Sequence, residues 1–104
     1  MLKIYTTVEN GMAYIKVYSG ERSLGVFYKS FATDYDAYQW LDLRGVRRVE
    51  DFATFVQYAL TKGSIGTKIT NALSEEPCFI LNGRVGVYEL KIRNCAVVMS
   101  CRYA

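Results

Sequence analysis

Histidine is missing from the 104 residues. That absence excludes Ser–His and Cys–His nucleophile pairs, imidazole general bases and histidine-containing zinc sites. Cysteine is scarce: Cys78, Cys95 and Cys101 contain no Cys-x-x-Cys pair, which excludes a four-cysteine metal site. An odd number of thiols, behind a start (Met1-Leu2-Lys3-Ile4-Tyr5) unlike a signal peptide, suggests reduced cysteines and a cytoplasmic location. Proline occurs once, at Pro77, and there is no Ser/Gly-rich tract, so no linker interrupts a single domain over residues 1–104. No apolar run approaches the roughly 20 residues that span a bilayer, and no membrane partner is expected. Carboxylates are plentiful, but none sits in an apolar context that would raise its pKa; Glu75-Glu76 before Pro77 is a solvated turn. The residues thus point to no catalytic group, no metal and no cofactor.

What is present is a core and an excess of tyrosine. Hydrophobic residues make up 51% and aromatics 14%, with nine tyrosines, enough to offset the entropy of ordering the chain. Lys and Arg number 13 against 10 Asp and Glu. Residues 1–76 balance at nine of each sign, so the +3 surplus belongs to residues 77–104, where Arg84, Lys91, Arg93 and Arg102 face only Glu89. A modest basic end favours an acidic partner surface and falls short of a nucleic-acid tail.

Leu2–Val8 and Met12–Tyr18 alternate on either side of Asn10-Gly11, a strong hairpin signal. A turn over Ser19–Ser23 leads to a third strand, Leu24–Ser30. Thr33 or Asp34 caps a helix carrying Tyr35, Tyr38 and Leu41 and ending near Gly45. Val49, Phe52, Ala53, Val56, Ala59 and Leu60 share one face of a second helix, with Glu50 and Asp51 at its start and Gly63 beyond its end. Ser64 to Ser74 fits a third helix, with a strand as the alternative. Cys78–Leu81, Arg84–Ile92 and Cys95–Tyr103 read as strands, turning at Asn82-Gly83 and Arg93-Asn94. The expected class is α+β, antiparallel sheet or sheets in the order β-β-β-α-α-(α)-β-β-β with helices packed on the sheet.

A two-residue loop at Asn10-Gly11 sets Val8 opposite Ala13, Thr6 opposite Ile15 and Ile4 opposite Val17 on a core face. The other face gathers Lys3 beside Tyr18, Tyr5 beside Lys16 and Thr7 beside Tyr14. Lys3, Tyr5, Tyr14, Lys16 and Tyr18 fit three uses: an ordinary solvated strand face, a protein-binding surface, or a platform for stacked bases. The turn at Arg93-Asn94 would pair Leu90 with Val97, Tyr88 with Met99 and Val85 with Arg102, leaving both faces partly apolar. Such strands invite a second layer, a partner, or homodimerisation through a strand edge. Arg44, Arg47 and Arg48 form a loop cluster that reads as internally balanced or as an anion site. The cysteines read as small buried hydrophobes.

Ser64-Ile65-Gly66, then Thr70 and Leu73, Arg84-Val85 with Val87, and Val97-Val98 with Ser100 and Arg102 together resemble the core of the viral ring nucleases. Those are small α+β dimers that bind and cleave cyclic tetra-adenylate and so act as type III anti-CRISPR proteins. Lys3-Ile4-Tyr5 is similar to that family's first strand; residues 6–63 share almost nothing with it. The resemblance implies phosphate contacts from Arg84 and Arg102, and a phosphate cradle in the backbone around Ser64, Gly66 and Thr67. The chain departs from the family at its chemistry. Thr67 stands where the family has its histidine and Gly83 where it has an asparagine, and no acidic residue follows Arg102, so cleavage is in doubt.

Two functions follow as expectations. One is a small non-catalytic accessory protein, of the kind viruses and mobile elements use, acting by stoichiometric binding to a host protein. The alternative is a relative of the ring nucleases that binds cyclic oligoadenylate, with cleavage impaired.

Overall fold

The computed structural model describes residues 1–43 and 52–103. Three strands come first: β1 (Leu2–Glu9), β2 (Met12–Ser19) and β3 (Arg22–Ser30). Three helices follow, α1 (Asp34–Leu43), α2 (Phe52–Leu60) and α3 (Ser64–Glu75), then β4 (Cys78–Leu81), β5 (Arg84–Arg93) and β6 (Ala96–Tyr103). The class is α+β. The six strands form one sheet in the order β3-β2-β1-β4-β5-β6.

The sheet is mixed, which corrects the expectation of antiparallel pairing throughout: β1 and β4 run parallel, with Leu2, Ile4 and Lys3 opposite Phe79, Leu81 and Ile80. Hairpin signals report only sequence neighbours. A parallel pair needs a long crossover, which the helical segment between β3 and β4 supplies. Ser64 to Glu75 is helical, which settles the open choice there.

The first hairpin has the register that Asn10-Gly11 dictates, with Val8, Thr6 and Ile4 opposite Ala13, Ile15 and Val17. The second turn is tighter than expected, because Ser19 already pairs with Arg22, and the register shifts between Val17 and Tyr18. At the last hairpin the turn is Asn94-Cys95 and the register moves by two residues, so Leu90 faces Met99, Tyr88 faces Cys101 and Val87 faces Arg102. A shift of two keeps each strand position on the sheet face expected of it. The turn settles where asparagine can take the first position at positive φ. Asn10, Asn82 and Asn94 do so at 51°, 49° and 49°. Cys95 follows at φ 62° and is exposed, which corrects its reading as a buried hydrophobe; Cys78 and Cys101 are half-buried.

Among the described residues, helices cover one face only. Leu2, Ile4, Ala13, Ile15, Val17, Phe79 and Leu81 meet Leu41, Phe52, Phe55, Val56, Ile69 and Leu73 in one core. Phe52 is its centre: its ring stacks on Phe79 at 4.2 Å and lies edge-on to Tyr88 at 6.2 Å. Thr33 caps α1 by accepting the Asp36 N–H at 3.2 Å, and the Asp34 carboxylate accepts the Gly11 N–H at 2.5 Å. Gly11 is a position that needs glycine: φ is +74° and an added Cβ would lie 2.6 Å from the Phe31 carbonyl oxygen. The expected start of the second helix at Val49–Asp51 and the arginines 44, 47 and 48 lie outside the described residues.

Asn82 extends the short parallel pairing. Its backbone N–H donates to the Ile4 carbonyl at 2.9 Å, its Oδ1 accepts the Thr6 N–H at 2.9 Å, and its Nδ2 donates to Thr6 Oγ1 at 2.8 Å. Replacing Asn82 with alanine removes two exposed hydrogen bonds and the residue best suited to φ 49°. The expected loss is about 1.5 kcal/mol, read by urea denaturation.

Tyr88 is 3% exposed, and its hydroxyl has no hydrogen-bond partner among the described residues. Burial, and secondarily Cys101, pushes its pKa up to about 12. The unfolded chain releases this proton near pH 10 while the native state holds it. Native stability therefore falls as pH rises from about 10 to 12 and then levels. Tyr88→Phe should match or exceed the parent in stability at neutral pH, by up to about 1 kcal/mol, and lack this part of the alkaline decline. Denaturation midpoints measured across that range check both.

Candidate functional site

A sheet covered on one side has a second side to account for. Odd residues of β1 and even residues of β2 point away from the helices, which puts Lys3 beside Tyr18, Tyr5 beside Lys16 and Thr7 beside Tyr14. The five residues singled out in the sequence thus share one open face. Tyr5 and Tyr18 meet edge-to-face at 6.0 Å, and Lys16 Nζ lies 6.0 Å from the centre of the Tyr14 ring. Lys3, Tyr5, Thr7, Lys16 and Tyr18, with Gly20 and Glu21, line a shallow depression of about 590 Å³. Tyr5 is 42% exposed. Neither lysine enters an ion pair among the described residues.

The face is wider than the hairpin. β3 adds Tyr28 opposite Tyr14, with ring centres 6.5 Å apart, and Val26 opposite Lys16. Tyr28 is 67% exposed, against 42% for Tyr5. The sequence pattern alone does not place Tyr28 on this face, because the third strand's register depends on a turn with a register shift beside it. On the other side Ile80 of β4 lies next to Lys3, followed by Val85 and Val87 of β5.

Charge closes this face at its far end. Glu89 accepts hydrogen bonds from Lys91 and Arg102, at 3.4 and 3.3 Å, and these two cations hold its carboxyl below the usual carboxylate range. Arg102 is thus paired on the open face, beside Val87. Arg84 is exposed at the start of β5, opposite Leu81.

Ser64, Gly66 and Thr67 lie elsewhere, in the first turn of α3 on the helix-covered side. There Ile65 packs against Gly25 of β3. β3 and β6 are the two edges of the sheet, five strand spacings or about 24 Å apart. Within one chain the residue 64–67 turn and Arg102 therefore occupy opposite faces and opposite edges. Gly66 is buried where an added Cβ would fall 2.4 Å from the Ala59 carbonyl oxygen. Its lack of a side chain lets α3 approach α2 closely. Ser64 and Thr67 are exposed.

Among the described residues there is no cluster of three or more metal-ligating side chains, and no helix is long and apolar enough to cross a membrane. No family model, curated protein or solved structure matches the chain.

Proposed function

We propose that this protein works by stoichiometric binding, contacting an acidic surface of a partner protein through the open face built by Tyr5, Tyr14, Tyr18, Lys3 and Lys16. The observation that carries the reading is the pairing of exposed and half-exposed tyrosine rings with two lysines that, among the described residues, lack carboxylate partners, on the sheet face that the described helices leave uncovered. Tyrosine gives a rigid, largely apolar contact surface with a polar tip at low entropic cost. Lysines beside it select for negative charge and steer the encounter. A host protein, bound by a factor of the viral or mobile-element type, fits this reading.

The test starts from proteins captured on the immobilised chain from a host lysate and continues with calorimetry on each purified candidate. Tyr5→Ala, Tyr14→Ala and Tyr18→Ala should each weaken the complex about tenfold or more, as central aromatic anchors do. Normal affinity in all three variants would sink the surface assignment. Cyclic tetra-adenylate is the competing ligand. Because the turn at Ser64–Thr67 and Arg102 lie on opposite faces and at opposite edges of the sheet in one chain, that ligand would need a second copy to bring them together. A rise in melting temperature with excess cyclic tetra-adenylate would favour it over a protein partner.

A further inference from the structure

β3 borders the open face on one side and the outer edge of the sheet on the other. β3 is terminal in the sheet, and no other strand pairs with its outer side among the described residues. Along that side runs a groove of about 420 Å³. One wall is the consecutive stretch Val26, Phe27, Tyr28 and Lys29; the other includes Trp40 of α1, Tyr58 of α2 and Lys62 of the turn after α2. Alternate strand residues point to opposite faces, so four in succession can border one groove only along their shared backbone edge. That edge presents unpaired N–H and C=O groups, the template for an added strand.

The opposite wall is aromatic and cationic. Trp40 and Tyr58 meet edge-to-face at 6.0 Å. Lys29 Nζ lies 5.4 Å from the Phe31 ring centre and 6.0 Å from that of Trp40, while Lys62 Nζ lies 5.1 Å from that of Tyr58. Neither lysine has a carboxylate partner among the described residues. β3 itself carries Arg22 and Lys29 and no acidic residue. A second copy of β3 would bring like charge to like, whereas an acidic strand would complement this edge.

The geometry points to β-strand addition: the groove takes an extended acidic peptide segment, which hydrogen-bonds along β3 and sets alternate apolar side chains against Trp40 and Tyr58. Aspartate or glutamate side chains of that segment meet Lys29 and Lys62.

Panning a displayed library of random linear peptides on the folded chain tests this. Enriched sequences should alternate Asp/Glu with Val, Ile or aromatic residues. N-methylation of the peptide amides that face β3 should abolish binding measured by fluorescence anisotropy. Lys29→Glu and Lys62→Glu, both exposed and checked for unchanged melting temperature, should each weaken binding about tenfold. Amide shift changes should fall on β3, α1 and α2. The assignment is overturned if no linear sequence is enriched, if N-methylation is tolerated throughout, or if both charge reversals leave affinity unchanged. Shift changes centred on Tyr5, Tyr14 and Tyr18 would overturn it in favour of the open face. Sedimentation showing a dimer that occupies β3 would overturn it in favour of a second copy.

Discussion

Phe52→Ala should cost about 3–5 kcal/mol, against a total stability of roughly 5–15 kcal/mol for a domain of this kind. Phe52 is fully buried, stacked on Phe79 and in ring contact with Phe55 and Tyr88. Removing its ring leaves a cavity between α2 and the centre of the sheet, bounded by rings that cannot collapse into it without losing their own contacts. Phe52→Leu keeps most of the volume and should lose about 1.5 kcal/mol. Urea midpoints at constant slope measure both, and a loss below about 1 kcal/mol for the alanine variant would show that this cluster is not the centre of the core.

Gly66→Ala sets two effects against each other. Helix propensity alone predicts a gain of about 1 kcal/mol, because glycine is the poorest interior helix former apart from proline. Packing predicts the opposite. The new Cβ would sit 2.4 Å from the Ala59 oxygen, 2.5 Å from its carbonyl carbon and 2.6 Å from Leu60 Cα. Those are backbone atoms, so relief requires α2 and α3 to separate. The contact should dominate, for a net loss of about 2 kcal/mol or more. Thr67→Ala, at an exposed position in the same turn, is the control and should gain a few tenths of a kcal/mol. A Gly66→Ala variant as stable as the parent would mean the helices can move apart freely.

These two positions mark how far the fold is legible in the residues. Phe52 belongs to an apolar stripe with helical spacing and is plainly core. Gly66, at the start of a helix, gives no sign in the sequence that another helix approaches it; only the position of Ala59 shows that contact. The first hairpin is legible residue by residue because Asn10-Gly11 leaves one choice of turn. The last hairpin has asparagine without a following glycine, so two turns compete and the register is legible only to within two residues. Pairing of β1 with β4 has no local signal at all, since the partners are more than 70 residues apart. The open face follows the same division: period-two alternation reveals Tyr5, Tyr14 and Tyr18, while Tyr28 and the groove beside β3 depend on how separate elements are placed.

The short parallel pairing between β1 and β4 has a consequence for the order of assembly. It joins two antiparallel meanders, each closed by tight turns, through only three residue pairs and the Asn82 amide. Local turns form cheaply, whereas this seam must first gather in the whole intervening chain and its helices. The seam should therefore be the last part of the sheet to zip up during folding. Amide protons along it should exchange with solvent through a cooperative opening that leaves each meander intact.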